Sequence, residues 1–173
     1  MEPTKTTTRT MAGHLDAVQS LVRGIVELGR FELSFEVRKG TPAEQGAETA
    51  EFVIDFFGPD ADLLLEKNGL LLDALEHLVF KAARLDEEFF GKITFDSKDW
   101  RRLRARELQL IAQVAAERVI ETGDPFALNP MSPRERRIIH LALKNQSRVR
   151  TASDGFGPER KVVILPASQT SDQ

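Results

Sequence analysis

Phosphate esters are held best by forked, permanently charged donors, and this chain gathers such groups around one short segment. Asn129-Pro130-Met131-Ser132-Pro133-Arg134-Glu135-Arg136-Arg137-Ile138-Ile139-His140 places an arginine and a histidine with three residues between them. On a helix turning 100° per residue, Arg136, His140 and Lys144 lie within ~80° of one another, with Arg137 ~20° beyond Lys144. Arg136 and Arg137 can fork onto phosphate oxygens, while Lys144, Arg148, Arg150, Arg160 and Lys161 add charge along a groove. His140 has three open roles: donating to a phosphate, stacking on a base, or fastening its helix to a sheet. Phe156 is a stacking platform or a local packing residue.

Other chemistries lack their residues. There is no cysteine, which removes disulfides, thiolate catalysis and cysteine-ligated zinc. His14, His77 and His140 fall in three separate segments without metal-ligand spacing. The chain has no P-loop, no Gly-x-Ser-x-Gly and no dinucleotide fingerprint, so neither enzyme activity nor a cofactor is expected. Glu87-Glu88 reads as solvated charge at a helix end. His14 and His77 read as surface or packing residues.

The elements that position the cationic segment follow from patterning. Ser132 and Glu135 form a capping box, and Pro133 takes the first helical position, where its missing N–H costs nothing. Ile138, Ile139 and Ala142 fall on the side opposite Arg136 and His140. Upstream, a long helix is expected over 97–122, with Leu103, Leu110, Ile111, Val114 and Val119 as its apolar repeat and Gly123 as its stop. Arg101, Arg102, Arg104 and Arg106 load its start, where the helix dipole does not help cations; an acidic neighbour, a ligand or simple solvation would accommodate them. Downstream, 148–153 and 160–165 read as a strand pair joined by the Asp154-Gly155-Phe156-Gly157-Pro158 turn.

The N-terminal half reads as an amphipathic helix from Leu15 to Gly29, a strand at 31–37, a loop at 39–50 and a strand at 51–57. A short helix then meets the Asn68-Gly69 turn and a longer helix buried through Leu71, Leu75, Leu78, Val79 and Ala82. A third strand covers 92–95. The fold class expected is α+β. Residues 11–95 carry 16 acidic and 8 basic side chains, whereas 96–173 carry 10 and 14. A polyanion is therefore drawn to the second half. The polar start and the lack of any long apolar run imply a soluble protein in a reducing cytoplasm.

The order helix, strand, strand, helix, turn, helix, strand resembles a type II KH domain (αββααβ) over residues 14–96, with Glu66-Lys67-Asn68-Gly69 standing where that family has its Gly-x-x-Gly phosphate loop. The loop is degenerate because Glu66 replaces the first glycine, leaving either a weakened RNA clamp or a scaffold kept for packing or docking. Segment 97–167 resembles the R-three-H domain, a small α/β fold for single-stranded nucleic acids, on Met131 to Leu143, Ser153-Asp154-Gly155 and Arg160 to Ile164. In that order the two resemble the Jag (SpoIIIJ-associated) family of bacterial RNA-binding proteins, with no counterpart here of that family's separate N-terminal module. Residues 1–13 and 168–173 are then disordered tails. The resemblance implies single-stranded RNA or DNA as ligand, a small KH protein as partner and no membrane insertion. A second hypothesis is a docking adaptor whose acidic first half binds a basic protein.

Overall fold

In the computed structural model of the chain, residues 10–40, 50–85, 89 and 91–167 are described. Most of both expected tails, most of the 39–50 connection and the Glu87-Glu88 pair lie outside them. Two compact units are present, Met1–Arg101 and Arg102–Gln173. No helix among the described residues is long and apolar enough to cross a membrane.

In the first unit, helix α1 (Met11–Gly29) starts earlier than expected because the Thr10 hydroxyl accepts from the Gly13 amide at 3.3 Å. Residues 11–13 are thus helical rather than tail. Val18 and Val22 are fully buried, and His14 packs against Phe89 with ring centroids 4.5 Å apart. The left-handed stop falls on Arg30 (φ 55°), not Gly29; its N–H reaches Glu27 O, and the Phe31 N–H reaches Val26 O. That paired capping uses Phe31, so strand β1 (Ser34–Lys39) begins three residues later than its alternation suggests. β1 runs antiparallel to β2 (Phe52–Phe57), and β2 runs parallel to β3 (Ile93–Asp96), in the order β1-β2-β3.

Helix α2 (Ala61–Ala82) is broken where the sequence places a turn: Glu66 is extended, and Lys67, Asn68 and Gly69 are all left-handed. The order αββααβ is therefore the one found. The buried face of the second half differs from expectation. Val79 is buried and Leu75 packs against the core as expected, but Leu72 and Phe80 face it too, while Leu71 and Leu78 are 43% and 58% exposed and Ala82 is exposed. The cause is Glu76, which turns inward to accept from the Phe95 amide (2.7 Å) and the Thr94 hydroxyl (2.9 Å). This buried carboxylate fixes the rotation of α2 against β3. Glu76→Ala strands a buried amide and is expected to cost about 2–3 kcal/mol. Urea unfolding followed through Trp100, the single tryptophan, measures it; an unchanged midpoint would show that the carboxylate anchors nothing.

In the second unit, helix α3 (Trp100–Thr122) continues from its first residues in the preceding unit. It begins after Lys98 and Asp99, whose positive φ angles keep 97–99 out of the helix, and stops at left-handed Gly123 as expected. Its buried face is Leu108, Ala112, Ala115, Ala116 and Val119. Of the expected apolar repeat only Val119 is buried; Leu103, Leu110, Ile111 and Val114 are exposed. Alanines give the packing face because they let a helix approach its neighbours closely. A two-residue strand β4 (Phe126–Ala127), not foreseen from the sequence, joins β5 (Val149–Asp154) and β6 (Lys161–Pro166) in an antiparallel sheet ordered β4-β6-β5. Helix α4 (Pro133–Ala142) and α3 share its core, which includes Ile139, Val162 and Ile164.

Candidate nucleic-acid interface

Helix α4 begins as its sequence requires. The Ser132 hydroxyl accepts from the Glu135 amide, the Glu135 carboxylate accepts from the Ser132 amide at 2.9 Å, and Pro133 opens the helix. The second Glu135 oxygen receives Arg104 Nε at 2.7 Å, tying α4 to α3. Ile138 and Ile139 are buried, which turns Arg136 and His140 toward strand β5.

Along β5 the alternation Val149, Thr151, Ser153 faces inward and Arg150, Ala152, Asp154 outward. Both inward hydroxyls meet the helix. His140 Nδ1 lies 2.7 Å from Thr151 Oγ1, His140 Nε2 lies 3.0 Å from Ser153 Oγ, and Arg136 Nη1 donates to Ser153 Oγ at 3.3 Å. The Ser153 hydroxyl accepts from Arg136 and can either donate to Nε2 or accept from it, so the two hydroxyls satisfy the imidazole in either neutral tautomer. Of the three roles open to His140, fastening helix to sheet is the geometry adopted. Arg136 Nε is buried without a hydrogen-bond partner among the described residues.

Burial, followed by the charge of Arg136, lowers the His140 pKa from 6.5, so the ring is neutral at neutral pH. An unfolded chain takes up this proton at higher pH than the folded one. The stabilisation is complete above about 6.5 and is lost as pH falls through that value toward the folded pKa. Proton NMR titration is expected to give a His140 midpoint below 6.5, and Arg136→Ala to raise it. A midpoint at or above 6.5 in the parent would remove the buried, arginine-flanked clasp.

The remaining cationic candidates do not converge on one surface. Arg137 is exposed on α4. Lys144 does not share the helix face, because α4 ends at Ala142 and Lys144 sits in the following turn. Arg160 lies beside the entry to α4, its carbonyl accepting from the Met131 amide at 3.1 Å. Arg150 and Lys161 belong to the sheet face turned away from His140, where Lys161 pairs in register with Asp154; Arg148 is exposed just before β5. Phe156, at the β5–β6 turn, is 92% exposed, so local packing does not account for it. The arginines at the start of α3 divide by acidic neighbours. Arg101 is held by Asp73 and the Phe95 carbonyl. For Arg104, burial would lower the pKa, but the Glu107 and Glu135 hydrogen bonds outweigh it and hold the guanidinium charge more firmly. Thr151 was not singled out from the sequence, and Ser153 only as part of the Ser153-Asp154-Gly155 resemblance; hydroxyls at alternate positions of a strand after an Arg-x-x-x-His helix are the signal that was there.

In the first unit, the 66–69 turn shows why one glycine is needed and another is not. Gly69 has φ +73°, and a Cβ there would fall 2.6 Å from Trp100 Nε1. Glu66 has φ −57° and ψ 151°, which any residue adopts.

The family model of the R-three-H domain matches residues 106–166. Three relatives are each called RNA-binding protein KhpB. The Clostridium symbiosum protein is 36% identical over 114 residues, covering 66% of this chain and 51% of its own length. That of Bacillus subtilis is 34% identical over 109 residues, 62% and 52%, and that of Lactiplantibacillus plantarum is 35% identical over 102 residues, 59% and 32%. The chain spans about half the length of these relatives, or less.

Proposed function

We propose that this chain is a member of the Jag family of R-three-H-domain proteins and that it binds single-stranded RNA, with single-stranded DNA as a weaker-matched ligand, through the α4–β5 side of its second unit. The carrying observation is the clasp of Arg136 and His140 by Ser153 and Thr151. It holds the half-buried Arg136 side chain, whose Nε is enclosed and whose Nη1 is fixed by Ser153, beside a neutral imidazole. A phosphate takes a charge-assisted contact from the accessible part of the guanidinium, and Arg137 and Arg160 contribute charge beside it. The exposed Phe156 ring offers a stacking surface to an unpaired base, which a base already stacked within a duplex does not need. The names of the relatives point the same way and favour this reading over a purely protein-docking adaptor. The role is binding, with no chemical step assigned, and the expected setting is the cytoplasm. A small KH protein as partner, and the KH-like loop as a second RNA contact, belong to the same proposal.

Fluorescence anisotropy of the full chain with a labelled single-stranded RNA, repeated across salt concentrations, tests it. If ~3 to 5 phosphates are contacted, log K falls against log salt with a slope of roughly −2 to −3.5. Absence of binding at low salt, or affinity indifferent to salt, would end the proposal.

A further inference from the structure

Helix α3 turns its small residues inward and its large ones outward. Leu103, Leu110 and Val114 are 52%, 63% and 67% exposed and lie within ~40° of one another around the axis, almost opposite Ala112. Ile111 borders them at 37%. A spacing of seven and then four is that of a helix-pairing seam. The charges beside the seam change sign along its length. On one flank Arg106 precedes Glu117; on the other Glu107 precedes Arg118. Arg106 and Glu117 have no ion-pair partner among the described residues, while Glu107 is held by Arg104 and Arg118 lies over the Phe126 ring.

We propose that a second copy of this chain docks on α3 in antiparallel orientation. A two-fold axis level with Ala112 brings Leu110 against Val114 of the second copy. On one flank it sets Arg106 beside the second copy's Glu117, and on the other Glu107 beside the second copy's Arg118. Each contact occurs twice by symmetry, so both flanks are complementary. A parallel copy brings opposite flanks together, so Arg106 would lie beside the second copy's Glu107 and Glu117 beside its Arg118, but Glu121, at the angle of Leu103 on the seam, would then meet Glu121. The flank charges therefore make the seam complementary to a second copy, and Glu121 sets the antiparallel direction. The seam lies on α3 rather than on α4 and β5, so docking does not draw on the Arg136–His140 clasp.

Sedimentation equilibrium of the full chain over a wide concentration range decides it. A monomer–dimer equilibrium is expected. Arg106→Glu alone and Glu117→Arg alone each turn two attractions into repulsions and are expected to weaken dimerisation roughly tenfold or more. The double variant R106E/E117R restores opposite charges across an antiparallel seam and is expected to recover the parent affinity. Leu110→Glu abolishes the dimer. A parent chain that stays monomeric throughout overturns the proposal, as does a dimer indifferent to Leu110→Glu, or a double variant no stronger than the single ones.

Discussion

Arg136→Ala is expected to weaken binding of single-stranded RNA about tenfold and to flatten the salt slope by ~0.7, the contribution of one released counterion. The loss comes from a forked, charge-assisted contact whose geometry depends on Ser153 and on the neighbouring imidazole. His140→Ala also lowers affinity, yet leaves the slope nearly unchanged, because a neutral ring releases no counterion. Arg150→Ala provides the contrast. Its side chain belongs to the other face of the sheet, and its removal is expected to change affinity by less than about twofold. The measurement is the same anisotropy titration on each variant, with circular dichroism to confirm folding. Equal losses for Arg136→Ala and Arg150→Ala would mean that the ligand does not select the α4 side. Unfolding of His140→Ala would make the histidine a structural clasp before anything else.

Glu66→Gly is expected to act in the opposite direction. A carboxylate ~6 Å from a phosphate opposes binding by a factor between about three and about a hundred, depending on the effective dielectric. Removing it, together with the side chain that blocks close backbone approach, strengthens any contact made by the 66–69 loop by a factor in that range. The backbone at 66 does not demand a side chain, and its ordinary φ tolerates either residue; the fold is expected to persist. If parent and variant bind equally at every salt concentration, the loop contacts no nucleic acid in either form.

Local signals with a single physical cause were legible. Ser132, Pro133 and Glu135 dictated the start of α4, because a capping box satisfies its own donors without help from the rest of the fold. Asn68-Gly69 dictated the break in α2 for a similar reason: Asn and Gly tolerate the left-handed region, and Gly69 must do so against Trp100. Arg136 and His140 could be paired from their spacing, since both lie on the same short helix.

Choices made by packing were not legible. The large aliphatics of α3 form a regular stripe, and periodicity alone assigns them to the core. The core instead took the alanine face, where close approach compensates for small side chains, and left the leucines outside. Glu76 carried no signal either, because nothing in its neighbours announces that it will accept from the β3 backbone. Lys144 was projected along a helix that ends two residues before it. The parity of β5 and β6, which separates Arg150 and Lys161 from His140, depends on a register that only the paired strands fix. For Arg101 and Arg104 the sequence left an acidic neighbour, a ligand and solvation open, because the partners Asp73 and Glu135 are distant in sequence.

The central claim is that ligand contacts converge on the α4–β5 clasp, and amide chemical-shift mapping of the 15N-labelled full chain with a short single-stranded RNA tests it most directly. The account predicts the largest perturbations at Arg136, Arg137, His140, Thr151, Ser153 and Arg160, with Phe156 moving when the RNA has an unpaired base to stack. Perturbations confined to Arg150, Lys161 and the outward face of the sheet, or to residues 61–75 of the first unit alone, would contradict it.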